Sequence, residues 1–299
     1  MKGMQAMTYS DKKILVTGAT GLIGKELVSP LKDLGFEIYA ITIDENNPDN
    51  GVHWLKGSLF DSEFIKNIME EVKPQYLLNM AWATTGDYLQ SDINYKFLSA
   101  GIELLKHFKD NGGKRAVYAG TCFEYKFKDE PLKESDKLAP DKTVYTFCKN
   151  KLHEIAEYFC KTHNISFGYG RIFYVYGRNE NKTRLTGMII DKLSRNEEVI
   201  IKSGALKKDY MYAKDIAGAF AKFIDSSVEG SVNICTGKAV SIKDFALTIA
   251  KELGKEHLVI FKDEETNQPP IIVGDNSRLL NDIGYKIKYD LIAATKEIL

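Results

Sequence analysis

The segment Thr17-Gly18-Ala19-Thr20-Gly21-Leu22-Ile23-Gly24 constrains this chain more than any other. It joins a short apolar run, Ile14-Leu15-Val16, to a stretch over 22–34 whose apolar residues recur at helical spacing. A second apolar run, 36–43, follows Gly35. Strand, glycine turn, helix and strand in about thirty residues make one βαβ unit. A helix amino terminus presents unpaired N–H groups and the positive end of its dipole. A pyrophosphate settles on them only where no Cβ intervenes, hence Gly18 at the turn and Gly21 at the approach point. Gly24 lets helix and strand pack closely. The spacing is G-x-x-G-x-x-G, not the G-x-G-x-x-G of ordinary dinucleotide folds.

The alternation continues. Periodicity predicts strands over 52–55, 76–81, 114–119 and 166–176, with helices over 62–72 (capped by Ser62), 93–108 and 144–162. Continuously apolar strands alternating with helices predict an α/β fold, a doubly wound, Rossmann-type parallel sheet covered on both faces. Beyond Gly177 the pattern loosens into helices over 185–195, 215–226 and 242–253 with short strands between them. The reading is a flexible leader over 1–10, a dinucleotide-binding domain over 11–177 and a smaller mixed α/β substrate-binding domain over 178–299.

Lys and Arg number 41 against 41 Asp and Glu, which removes the electrostatic case for a nucleic-acid or anionic-membrane partner. No stretch reaches the roughly 18 apolar residues of a membrane-spanning helix, and Met1–Met7 lacks the apolar core of a signal peptide. Cys122, Cys148, Cys160 and Cys235 are scattered, with no C-x-x-C pair and no His at metal spacing. They read as reduced thiols of a cytoplasmic protein without disulfide or metal. His53, His107, His153, His163 and His257 share no spacing and read as surface or helix residues.

Tyr145 and Lys149 stand at i and i+4 of the helix over 144–162, hence on one face. A phenol with a pKa of about 10 is a poor acid or base at neutral pH. A nearby ammonium stabilises the phenolate and lowers that pKa, as acid–base work at a carbonyl requires. Thr121 lies just past the strand over 114–119, at the carboxyl end where ligands bind in such sheets.

The glycine turn, a hydroxyl residue at this strand end and Tyr-x-x-x-Lys together resemble the extended short-chain dehydrogenase/reductase family. The likeness is to its nucleotide-sugar epimerases, dehydratases and reductases. Asn94 matches the helix asparagine of that family. Arg171-Ile172-Phe173-Tyr174-Val175-Tyr176-Gly177 is similar to its R-x-x-N-V-Y-G strand, and residues 208–215 to its R-D-[FY]-[IL]-H-V-x-D segment. The resemblance implies that Tyr145 is the acid/base, that Lys149 holds the nicotinamide ribose, and that Thr121 orients the substrate oxygen. It implies NAD or NADP on Gly18, Thr20, Gly21, Leu22, Ile23, Thr42, Leu59, Ala81, Trp82 and Ala83. It places the sugar nucleotide against Thr84, Cys122, Phe123, Tyr174, Arg184 and Lys208, and pairs the helices over 93–108 and 144–162 in a homodimer.

The departures from the family narrow the chemistry. Thr42 stands where an acid usually grips the adenine ribose, and Asp44 and Glu45, with no cation before Lys56, would repel a 2′-phosphate. NAD is favoured over NADP. Cys122 and Phe123 occupy the positions of the dehydratases' Asp-Glu, and Phe123 that of the 3,5-epimerases' cysteine. Tyr174 replaces an asparagine, and Lys208 an arginine whose bidentate fork a lysine cannot reproduce. The expected function is NAD(P)H-dependent reduction of a 4-keto (6-deoxy) sugar nucleotide in surface-polysaccharide or deoxysugar synthesis. A sugar-nucleotide 4-epimerase with retained NAD is the alternative. A non-catalytic dinucleotide sensor fits less well, because Tyr145 and Lys149 are kept.

Overall fold

The computed structural model describes residues 12–48, 50–139, 143–262, 264 and 266–299; the leader expected over 1–10 lies outside them. In chain order the first half runs β1 Lys13–Thr17, α1 Gly24–Asp33, β2 Glu37–Thr42, β3 His53–Lys56, α2 Ser62–Val72, β4 Tyr76–Asn79, α3 Ile93–Asp110, β5 Arg115–Thr121 and α4 Val144–Thr162. Next come β6 Ser166–Ile172, β7 Tyr174–Tyr176, α5 Leu185–Ser194, β8 Val199–Lys202, β9 Lys207–Lys208, β10 Tyr210–Tyr212 and α6 Ala213–Ile224. The chain closes with β11 Gly230–Ile234, β12 Val240–Ser241, α7 Ile242–Glu252, β13 Val259–Lys262, β14 Ile271–Ile272, α8 Ser277–Asn281 and α9 Leu291–Ile298.

Seven parallel strands form one sheet in the order β11-β6-β5-β4-β1-β2-β3. Every residue of β5 is buried, as a sheet covered on both faces demands. Leu27 and Leu31 of α1 pack with Ile216, Phe220 and Phe223 of α6 on one face. On the other, Ile65 and Met69 of α2 meet Leu104, Leu105 and Phe108 of α3 and Leu152 of α4. From β1 the chain crosses to β2 on one side and takes up β4 on the other, so a crevice opens above their carboxyl ends.

Three local expectations are corrected. Asp61, not Ser62, caps α2: its extended backbone lets its carboxylate accept from the amides of Glu63 and Phe64. The strand expected over 166–176 breaks at Phe173 into β6 and β7, and β7 leaves the sheet to pair with β10. The chain also recrosses the division expected at residue 177. Helix α6 packs against α1, and β11 joins the sheet beside β6. Gly168 and Gly170 make this possible: a Cβ there would stand 2.5 Å from the rings of Phe223 and Phe220. The remaining carboxy-terminal elements build a separate core from Ile189, Leu193, Phe245 and Ile249.

Among the described residues no helix is long and apolar enough to cross a membrane, and no three His, Cys, Asp or Glu gather as a metal site. The four cysteines are free and buried. His153, expected as an ordinary helix histidine, is buried and stacked 4.0 Å from the Tyr169 ring, and burial holds it neutral with a pKa of about 3.

Candidate active site

A cleft of about 770 Å³ opens at the carboxyl ends of β1, β4 and β5. The glycine turn forms its floor at one end. Gly18 has φ +73°, and a Cβ there would come within 2.8 Å of the Ala81 amide nitrogen. On Gly24 a Cβ would stand 2.0 Å from the Gly18 carbonyl oxygen. These two glycines are demanded by the protein's own packing. At Gly21 the nearest atom would be the Gly18 oxygen at 3.2 Å, far milder than at Gly18 or Gly24 and needing the turn to give by a few tenths of an ångström. Its missing Cβ leaves open the side that faces the cleft, where a pyrophosphate needs backbone approach. Gly21→Ala is therefore expected to leave Tm within about 3 °C while weakening NAD binding by about tenfold or more. Calorimetry and titration check this; an equal loss of stability and binding would refute it.

Thr17, the last residue of β1, ties the crevice together. Its hydroxyl donates to Asn79 Oδ1 at 2.6 Å and accepts from the Ala81 amide at 3.1 Å. The chain after β4 thereby brings Trp82 over the cleft. Asn94, fully buried on α3, accepts from Trp82 Nε1 at 2.7 Å and donates to the carbonyls of Tyr88 and Ser91. The Trp82 ring then lies 3.8 Å from Lys149 Nζ, a cation–π contact, and Nζ donates to the Ala119 carbonyl at 2.8 Å. Asn94, a matched family position in the sequence, thus acts by aligning the indole that holds the lysine.

Tyr145, Lys149 and Thr121 are 6%, 4% and 6% exposed and share one wall. Tyr145 packs edge-on against Tyr88 and Trp82. The Thr121 hydroxyl accepts from the Phe123 amide at 3.3 Å and faces the Tyr145 phenol. Burial pushes the phenol well above its ordinary pKa, the Thr121 hydroxyl pulling it back; burial also lowers Lys149 to about 7, against the Glu124 carboxylate. The expected pairing of ammonium with phenol is thus not the contact that seats Lys149. A buried ammonium takes the nearest acceptors, here a carbonyl and an indole face.

Beneath this wall lies an ion pair that sequence spacing alone does not reveal. Glu124 is fully buried, and its Oε2 accepts from Arg171 Nε at 2.9 Å. Its Oε1 accepts from the Thr121 amide at 2.8 Å and the Tyr169 hydroxyl at 2.9 Å. Arg171 also donates to the Tyr125 hydroxyl at 3.0 Å. The carboxylate thereby pins the backbone of Thr121. A charged residue within an otherwise apolar strand was the signal for Arg171; its partner, 47 residues away, had none.

Of the expected cofactor residues, Gly18, Gly21, Leu22, Ile23, Trp82 and Ala83 line the cleft. Ala81 stands behind Gly18, and Thr20 is half-buried in the turn. Thr42 is buried, with its hydroxyl turned to the Asp44 amide and Asn47. Leu59 packs half-buried against the core under α2 and α3. Of the expected substrate residues, Thr84, Cys122, Phe123, Tyr174 and Arg184 line the cleft. Arg184 donates to the Thr84 carbonyl at 2.9 Å, bridging two walls. Lys208 sits behind Tyr174, buried, its Nζ 5.5 Å from that ring and donating to the Pro269 carbonyl. Burial raises the Cys122 thiol pKa, consistent with a packing role.

A switch-point crevice, a glycine cradle and a buried Tyr–Lys–Thr wall define a dinucleotide-dependent enzyme of the short-chain dehydrogenase/reductase type. Residues 14–235 match the NAD dependent epimerase/dehydratase family. The chain belongs to that family, which is NAD-dependent. It is 25% identical to CDP-abequose synthase of Salmonella typhimurium, over 98% of this chain and 99% of that protein. It is 26% identical to dTDP-4-dehydro-6-deoxyglucose reductase of Escherichia coli, over 91% and 92%. UDP-glucose 4-epimerase of Thermus thermophilus, solved with NAD, shares the fold with a TM-score of 0.84 at 20% identity, covering 96% of this chain and 98% of that one.

Proposed function

We propose that this enzyme of sugar-nucleotide metabolism reduces a 4-keto sugar nucleotide, of the 6-deoxy kind, at C4. The bound cofactor, as NADH, supplies the hydride. Tyr145 gives its phenolic proton to the carbonyl oxygen as the C–O double bond becomes single, so the ketone leaves as an alcohol and NADH as NAD⁺. Thr121 holds that oxygen by hydrogen bond, Lys149 would hold the nicotinamide ribose, and solvent returns the proton to the Tyr145 phenolate.

The observation that supports this reading is the placement of Tyr145: buried on one wall of the cleft with Thr121 and Lys149, its phenol faces the space where a substrate carbonyl oxygen would take a proton. Cys122 and Phe123 stand where the dehydratases' carboxylates would act, which also supports simple carbonyl reduction. The name of one relative, dTDP-4-dehydro-6-deoxyglucose reductase, is that of a reductase of such a substrate.

The test is NADH and NADPH oxidation followed spectrophotometrically with freshly prepared 4-keto-6-deoxy sugar nucleotides. Turnover with NADH preferred is expected. Interconversion of UDP-sugars without added cofactor, and no NADH oxidation, would overturn the reading in favour of a 4-epimerase with retained NAD. The reading includes a homodimer through α3 and α4, on which Tyr95, Ile155 and Tyr158 are exposed at 46%, 40% and 72%. Sedimentation at the mass of a single chain would contradict that part.

A further inference from the structure

Glu180 lies between β7 and α5 and forms part of the cleft wall beyond the catalytic residues. Its side chain is 4% exposed. Thr186, in the first turn of α5, faces the carboxyl group, and Arg184 Nη1 stands 3.9 Å from Oε1, at the outer limit of an ion pair. Oε2 is closed to bulk water, and among the described residues no donor reaches it. Burial accordingly lifts the pKa of the group to about 7, Thr186 and Arg184 pulling the other way.

A buried carboxyl oxygen without a donor is costly to leave unmade, so such groups mark places where a partner arrives from outside the chain. In its ionised form the free oxygen takes a donor, and the neutral O–H and N–H groups of a sugar or a nucleobase supply one without setting a second anion against the carboxylate. The neighbourhood agrees: Tyr210 lies within electrostatic reach of Glu180, and its ring packs 5.8 Å from Tyr174, which packs 6.0 Å from Phe123 beside Thr121. An aromatic wall thus runs from the reacting end of the cleft to the carboxylate. Arg184, held to the Thr84 carbonyl, keeps the mouth positive for the diphosphate between them.

We infer that Glu180 is a substrate-binding residue, its free oxygen accepting a hydrogen bond from an O–H or N–H group of the sugar nucleotide. The inference rests on the sugar-nucleotide reading above. The competing explanation is structural: an acid near the amino terminus of α5 stabilises that helix through its dipole. The two differ in sign, because removing an unpaired buried carboxylate relieves a cost, whereas removing a helix anchor adds one.

The experiment uses Glu180→Met, which matches volume without polarity, and Glu180→Gln, which keeps the shape. Calorimetry reads Tm of the full chain without ligand. Titration reads Kd for UDP, CDP, GDP and dTDP, for their glucose conjugates, and for NADH. The expected result is a Tm of Glu180→Met raised by about 2–4 °C, with at least about tenfold weaker nucleotide binding and unchanged NADH binding in both variants. Weakening shared by the free diphosphates locates the donor on the nucleoside; weakening confined to the glucose conjugates locates it on the sugar. Unchanged nucleotide binding in both variants overturns the inference alone. Loss of NADH binding together with nucleotide binding and a lowered Tm marks a collapsed wall and overturns it as well. If the wild-type chain binds none of these probes, the sugar-nucleotide reading falls and takes the inference with it.

Discussion

Tyr145→Phe is expected to cut kcat by about 10³-fold, the usual weight of general acid catalysis, while NADH binds as in the wild type. The substitution removes one oxygen atom from a ring that keeps its edge-on contacts with Tyr88 and Trp82. Lys149 keeps its hold on the Ala119 carbonyl, and the glycine cradle is untouched. The loss must then fall on the chemical step. Single-turnover kinetics with fluorescence titration of NADH separates the two quantities. A variant within about tenfold of the wild type would show that water or another group protonates the substrate. Weakened NADH binding would show instead that the phenol holds the cofactor.

The largest expected effect on stability comes from Glu124. With the carboxylate gone, the Arg171 guanidinium is left buried and unpaired at 2% exposure. Breaking one side of such a pair costs about 3–5 kcal/mol. Glu124→Gln should lose that much in urea denaturation, and Glu124→Gln with Arg171→Met should regain most of it, because no uncompensated charge remains. The double variant then gives a folded protein in which catalysis can be examined. Glu124 raises the pKa of Lys149 against the lowering by burial, which leaves it at about 7. Removing Glu124 therefore shifts the kcat/KM limb that reports Lys149 deprotonation to lower pH. Full stability in the single variant, or an unmoved limb in the double variant, would show that the pair does not support the wall of Thr121 and Lys149.

Much of this enzyme is readable along the chain, for a reason visible in particular residues. Gly18 to Gly24, the apolar runs of β1, β4 and β5, and the Tyr145–Lys149 spacing on α4 are local patterns. Helix and strand periodicities act over a few residues, so they survive as text. The cap of α2 misled by one place, since Asp61 and Ser62 are both competent caps and only the backbone angle at Asp61 chooses between them.

Tertiary structure alone decided the rest. That β11 returns to the sheet depends on Gly168 and Gly170 admitting two rings from α6, a fit between segments about fifty residues apart. Lys149 faces an indole aligned by Asn94 rather than the phenol one helical turn away, because desolvation makes the ammonium seek the nearest acceptors. Glu124 meets Arg171, and Glu180 is left with a free oxygen, only once the strands are stacked and water is excluded. Local chemistry is written in the order of the residues, whereas the pairing of buried charge is written in their packing. Burial turns an ordinary acid or base into one that must find a partner across the fold or in a ligand.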